Sequence, residues 1–249
     1  MRILSADPLA DRAFTLELDT AIGQRAAARV RAAGDALGVA LADAALPGVQ
    51  EITRSFTTVT VHYDPLEASQ ADLLHQAETL LSGIEADAVS PGRLWRFPCC
   101  YAAEFALDLD TLSQHLNLSG AEIIAQHAAT EFGVYAIGFL PGLPFMGDLP
   151  PGLSLPRRSS PRPTVPAGSV AIAGGLCVIY PWDSPGGWHI LGRCPVPLFD
   201  PARPHPALLQ AGDRVRFADV STDEYARLRT GYEDGSLSAE ILLEQEPTA

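Results

Sequence analysis

Arginine, glycine and proline gather in one stretch of this 249-residue chain, and they are its residues best suited to chemistry. Between Leu149 and Phe199 stand Arg157, Arg158, Arg162 and Arg193 with a single acid, Asp183, so the stretch is cationic inside a chain of net charge −13. Around the arginines run Gly138-Phe-Leu-Pro-Gly-Leu-Pro-Phe-Met-Gly147, Val165-Pro-Ala-Gly-Ser-Val-Ala-Ile-Ala-Gly174 and Ser184-Pro-Gly-Gly-Trp188. Glycine permits positive φ and close backbone approach, while proline fixes φ, so turns built from both are stiff and expose N–H groups. Guanidinium grips carboxylate or phosphate through a bidentate fork. The pattern points to a small carboxylate or phosphate ligand held among these four arginines. Its rigid frame would come from Phe139, Pro141, Gly142, Gly168 and Ser169, with Ser184, Gly186, Gly187 and Trp188. The plainer alternative is that the corners are only turns and the arginines pair with acids elsewhere.

Acid–base candidates are fewer. His127, late in an expected helix, is a candidate catalytic acid or base, although a helix-end histidine packed on its neighbours is the commoner case. Glu104 and Asp108 precede a helix, where they form either an acid–base pair or a cap. His189 follows Trp188 in a strand pattern, and His62 and His75 read as surface or strand residues. Ser169 and Ser184 sit near glycines but outside a Gly-x-Ser-x-Gly elbow, which argues against a serine hydrolase. Cys99, Cys100, Cys177 and Cys194 form no Cys-x-x-Cys pair, so no metal site is expected and buried thiols are.

Two textures position these residues. Phe14, Leu16 and Leu18 alternate as in a strand, and Ile22 to Leu37 reads as a helix ending near Gly38. Val49 to Arg54 and Thr57 to Tyr63 read as strands, Ser69 to Leu81 as a helix closed by Gly83, and Arg93 to Cys99 as a further strand. The order β-α-β-β-α-β is that of a ferredoxin-like α+β unit. Helices over Asp108 to Leu116 and Ser119 to Thr130 follow, the second opened by a Ser119–Glu122 capping box. A strand over Phe132 to Phe139 leads into short strands at Ser169 to Ala173, Cys177 to Tyr180 and Trp188 to Gly192. Arg214 to Phe217 and Ser238 to Leu243 add strands, with a helix over Thr222 to Leu228 between them. Many short strands between Pro/Gly turns favour a sandwich or barrel. Fifteen of the 21 prolines lie from Pro141 to Pro206, and the boundary falls near Ser90-Pro91-Gly92, giving domains 1–90 and 91–249.

Composition removes whole classes. All 17 basic residues are arginines, which excludes a Walker lysine, a kinase strand lysine and a Schiff-base lysine. The acidic balance argues against a nucleic-acid or anionic-membrane partner. No apolar run approaches the roughly 18–20 residues of a spanning helix, and no secretory signal is readable, so the cytoplasm is the expected location.

The glycine–proline motifs, with Pro156-Arg157-Arg158, Tyr180-Pro181, Leu191-Gly192-Arg193 and Leu198-Phe199-Asp200-Pro201, resemble the allophanate hydrolase subunit 1 family over essentially the whole chain. Cys100-Tyr101 and Glu104-Phe105 are weaker matches. The resemblance implies a ferredoxin-like domain followed by a mainly-β cyclophilin-like barrel. It implies a subunit of an ATP-dependent 5-oxoprolinase that opens 5-oxoproline to glutamate. ATP, with Mg, would be bound by the complex, and the partners would be a homologous barrel subunit (allophanate hydrolase subunit 2-like) and a third hydrolase subunit. The family also includes a KipI-like inhibitor of a sensor histidine kinase, and its name suggests urea or allophanate hydrolysis. Two departures stand out. Leu176-Cys177 occupies the place of a polar Gln-Thr pair, at a position that could face the pocket, and Ala102-Ala103 stands where glycines are usual.

Overall fold

The computed structural model describes residues 1–84 and 92–244. The chain divides into two compact units, Met1–Ser90 and Pro91–Ala249. Ser90 and Pro91, where the boundary is expected, lie outside the described residues.

The first unit runs β1 (Ser5–Leu9), β2 (Ala13–Glu17), α1 (Gln24–Ala42), β3 (Val49–Arg54), β4 (Thr58–Tyr63) and α2 (Gln70–Ser82). Its sheet has the order β1-β2-β4-β3 and is antiparallel throughout. Alternation puts Phe14 and Leu16 of β2 and Val59, Val61 and Tyr63 of β4 on the buried face, against Val30, Ala33 and Leu37 of α1 and Leu73, Ala77 and Leu81 of α2. Ser69 caps α2 by accepting the Asp72 N–H, and Gly83 closes it. Helix α1 runs past Gly38 to Ala42, because one glycine costs a helix only about 1 kcal/mol and the buried Ala40 rewards continuation.

The second unit contains β5 (Leu94–Cys99), α3 (Leu109–Leu116), α4 (Gly120–Ala129), β6 (Phe132–Ile137), β7 (Pro144–Met146), β8 (Arg162–Val165), β9 (Ser169–Ala173), β10 (Leu176–Ile179), β11 (Ser184–Gly186), β12 (His189–Arg193), β13 (Arg214–Asp219), α5 (Thr222–Glu233) and β14 (Leu243–Glu244). Eight strands form one sheet in the order β12-β9-β10-β7-β6-β13-β5-β14, and β8 and β11 form a separate ribbon. The expected place of β5 is corrected. It does not complete the first sheet but pairs in parallel with β13, burying Trp95 and Phe97 in the core of the second unit. The expected strand over Ser238 to Leu243 is mostly a 3₁₀ turn, leaving two residues in β14.

A continuously laddered barrel is not formed among the described residues. β12 reaches the end of β5 through one bridge, Cys100 to Arg193, with N···O distances of 2.8 and 2.9 Å. Gly192 permits that approach, since a Cβ there would lie 2.7 Å from the Cys100 carbonyl oxygen.

Strand β9 is buried on both faces. Val170 and Ile172 face the main core, whereas Ala171 and Ala173 join Leu143, Val165, Val178, Tyr180, Trp188 and Ile190 in a second apolar layer. β5 and β13 are clamped by buried Asp213, which accepts from Arg93 (3.0 and 2.7 Å), Trp95 Nε1 (3.1 Å) and the Gln210 N–H (3.0 Å). Asp213→Ala leaves these donors unpaired, and a loss of roughly 2–4 kcal/mol is expected in urea denaturation. A change below about 0.5 kcal/mol would mean the clamp is dispensable.

Candidate functional site

The turn between β6 and β7, the loop before β8 and the β11–β12 corner meet over the second apolar layer and enclose a hollow of about 250 Å³. Its walls include Phe139, Leu143, Phe145, Val178, Tyr180 and Trp188, with Gly186, Gly187 and Pro185 at one side. The lining carries a single charged side chain, Arg157. The Arg157 guanidinium carbon lies 5.5 Å from the Trp188 ring centroid, and Trp188 is tilted against Phe145 at 6.1 Å. That stacking holds the cation without neutralising it.

Local sequence explains the shape. Phe139 takes φ 68° and Gly142 φ 79°, which folds the turn tightly enough for the Gly138 N–H to reach the Leu143 carbonyl at 3.1 Å. Phe139 is thereby 75% exposed at the rim, an arrangement a core phenylalanine would not adopt. Gly186 is needed because a Cβ there would sit 2.4 Å from the Tyr180 hydroxyl oxygen. Burial raises the Tyr180 phenol pKa, and the Arg157 charge opposes that rise. Tyr180 therefore stays a neutral hydroxyl at physiological pH.

Five sequence-predicted residues converge here: Phe139, Arg157, Gly186, Gly187 and Trp188. The others do not. Arg158 turns away and donates to Asp108 at 2.7 Å, while Arg162 donates twice to the same carboxylate at 2.8 Å. Asp108, 2% exposed, also accepts the Ile190 N–H at 2.7 Å. Burial pushes the Asp108 pKa up, but Arg162, the Ile190 amide and the Arg158 charge together hold it below the ordinary carboxylate value. Asp108 stands at the start of α3, yet its side chain does not cap that helix. Pro141 accepts a hydrogen bond from Trp182 Nε1 at 3.3 Å. Gly168 and Arg193 line a different hollow. Ser169 and Ser184 are buried, and their hydroxyls have no partner among the described residues. Glu104 is exposed in a turn.

His127 is a core residue, the packed alternative to the catalytic acid or base. It is fully buried, stacked on Phe217 at 4.8 Å, with Nδ1 2.8 Å from the Tyr101 hydroxyl and Nε2 3.4 Å from Cys177 Sγ. Cys177 thus points into the core, so the Leu176-Cys177 departure lies off the hollow, which is reached instead by Val178. All four cysteines are buried free thiols. The residues that sequence reasoning passed over are Tyr180 and Phe145 as walls and Asp108 as an arginine anchor. Asp108 had one available signal, as a nearby acid for an otherwise acid-poor arginine stretch.

Two outcomes are expected. Asp108→Ala strands two arginines and an amide, costing about 3 kcal/mol and loosening the loop carrying Arg157; equal melting temperatures would contradict this. Burial lowers the His127 pKa to about 3, so the unfolded state binds the extra proton between about pH 6.5 and 3. Stability is therefore lost as pH falls through that window. His127→Gln removes that part of the slope in denaturation series, and an unchanged slope would contradict the assignment.

The family described as "Carboxyltransferase domain, subdomain C and D" matches residues 4–209. The 5-oxoprolinase B subunit of Bacillus subtilis (strain 168) is 39% identical over 193 residues, covering 72% of this chain and 79% of that protein. The crystal structure of TTHA0988 is 37% identical with a TM-score of 0.72, covering 84% of this chain and 40% of that one. The chain thus spans about two fifths of that longer molecule. The K. lactis urea amidolyase structure, 19% identical with a TM-score of 0.76, covers 97% of this chain and 17% of that one, and shares the fold. Profile, identity and coverage agree: the chain belongs to the carboxyltransferase subdomain C and D family, in the branch of the 5-oxoprolinase B subunits and the allophanate hydrolase subunit 1 proteins.

Proposed function

We propose that the chain is a subunit of an ATP-dependent 5-oxoprolinase and that the hollow over Trp188 seats 5-oxoproline. One observation carries the reading: Arg157 is the only charge on an otherwise apolar and aromatic wall. A five-membered lactam bearing one carboxylate presents the complementary pattern, with ring methylenes for Trp188 and Leu143 and a carboxylate for the guanidinium. The relatives named as B subunits of 5-oxoprolinase support the substrate class.

Opening the lactam consumes ATP and water and releases glutamate, ADP and phosphate. The amide carbonyl is a poor electrophile, and phosphorylation on its oxygen would activate it toward water. Within that scheme this chain binds and orients. Arg157 fixes the carboxylate, the Trp188 face sets the ring plane, and neutral Tyr180 offers a hydroxyl beside it. Among the described residues no group of three or more His, Cys, Asp or Glu is arranged to hold a metal ion. We assign nucleotide binding to the assembled complex, with a homologous barrel subunit and a third hydrolase subunit as partners, in the cytoplasm. We read the first unit as ferredoxin-like and the second as cyclophilin-like, supported by the helix-backed antiparallel sheet and by the single bridge that brings β12 to β5.

The test is reconstitution with the partner subunits and an assay of ATP-dependent glutamate release, with urea and allophanate as control substrates. Arg157→Ala should raise KM for 5-oxoproline roughly tenfold or more, the equivalent of one charge-assisted pair, with the subunit still folded. An unchanged KM removes Arg157 from the site, and turnover of urea or allophanate alone overturns the substrate assignment.

A further inference from the structure

We propose a second ligand site in this chain, for a zwitterionic amino acid, in the hollow bounded by residues 166–168, 193–197 and helix α5. It has a volume of about 500 Å³. Arg193 stands on its wall with the guanidinium carbon 5.0 Å from the Phe105 ring centroid, and its buried Nε has no hydrogen-bond partner. Among the described residues no carboxylate pairs with Arg193, in contrast to Arg158 and Arg162. Tyr232, on the same wall, has a buried hydroxyl with no partner.

The remaining charges decide what fits. Arg229 and Glu233 neutralise each other at 2.7 Å. Asp183 gives one oxygen to the Ala167 N–H at 2.7 Å, and no arginine pairs with it among the described residues. One hollow thus carries a cation without an acid and an acid without a base. A simple anion compensates Arg193 but is repelled by Asp183; a molecule bearing both carboxylate and ammonium compensates both.

The choice of ligand rests on the 5-oxoprolinase reading. Opening the lactam releases an ammonium group and a second carboxylate, so this hollow distinguishes product from substrate.

Calorimetric titration of the full chain with glutamate, glutarate, 5-oxoproline and inorganic phosphate tests it. Glutamate should bind roughly tenfold more tightly than the other three, since each lacks one of the charged contacts. Arg193→Gln should abolish the glutamate signal. Asp183→Asn, which keeps an oxygen for the Ala167 amide, should reduce glutamate to the level of glutarate. Should Arg193→Gln fail to fold, Asp183→Asn decides alone. Absence of glutamate binding, equal binding of glutarate or phosphate, or glutamate affinity indifferent to Asp183→Asn overturns the site. Turnover by the reconstituted complex is read separately: turnover without glutamate binding rejects this site and leaves the hydrolase reading, and the reverse result does the opposite.

Discussion

A buried carboxylate is costly unless its charge is met, and in this protein the carboxylate of Asp108 is met four times. Arg158 supplies one hydrogen bond, Arg162 two and the Ile190 amide the fourth. Removing such a group from water costs several kcal/mol, so the three segments that meet at it, one carrying the carboxylate and two its donors, are held to one arrangement. Those segments are the start of α3, the loop entering β8 and strand β12. Arg157 belongs to the middle one. Its neighbour in sequence is committed inward to Asp108, and the Arg158 amide donates to the Gly187 carbonyl at 2.7 Å. The loop is thereby fixed at both side chain and backbone, and Arg157 is left over the Trp188 ring with no acid paired to it among the described residues.

The apolar layer beneath supplies the complementary half. β9 is covered by the main core on one face and on the other by the second apolar layer, which includes Leu143, Val165 and Trp188. Trp188, Tyr180 and Val178 are therefore packed from behind while their front edges line the hollow. A rigid floor and a single positioned cation are the conditions for orienting a small polar ring. Among the described residues Arg158 and Arg162 are paired with an acid whereas Arg157 and Arg193 are not, and the proposed ligand contacts fall on the second pair.

Much of the architecture is legible in the residues themselves. Strand alternation at Phe14-Leu16 and Val59-Val61, the Ser119–Glu122 capping box and the Gly83 stop are local signals that the fold obeys. What sequence reading missed is non-local. Leu94–Cys99 has the pattern of a strand for either sheet, and only Asp213 and the buried Trp95 decide that it joins β13. His127 left two readings open, a catalytic group or a packed helix-end histidine, and the contacts with Phe217 and Phe132 that decide for packing come from distant strands. The arginine cluster was visible, but its division was not. Which guanidinium is spent on an internal acid depends on Asp108, some 50 residues away, and hydrophobic period carries no record of such a partner.

The central claim is that Arg157 and Trp188 together seat the lactam. The most direct measurement is a crystal structure of the assembled subunits grown with 5-oxoproline and without ATP. The ring is expected to lie on the indole face with its carboxylate forked onto the Arg157 guanidinium, and Arg158 to remain bound to Asp108. Density for the ligand elsewhere, with the hollow over Trp188 holding only solvent, would contradict it.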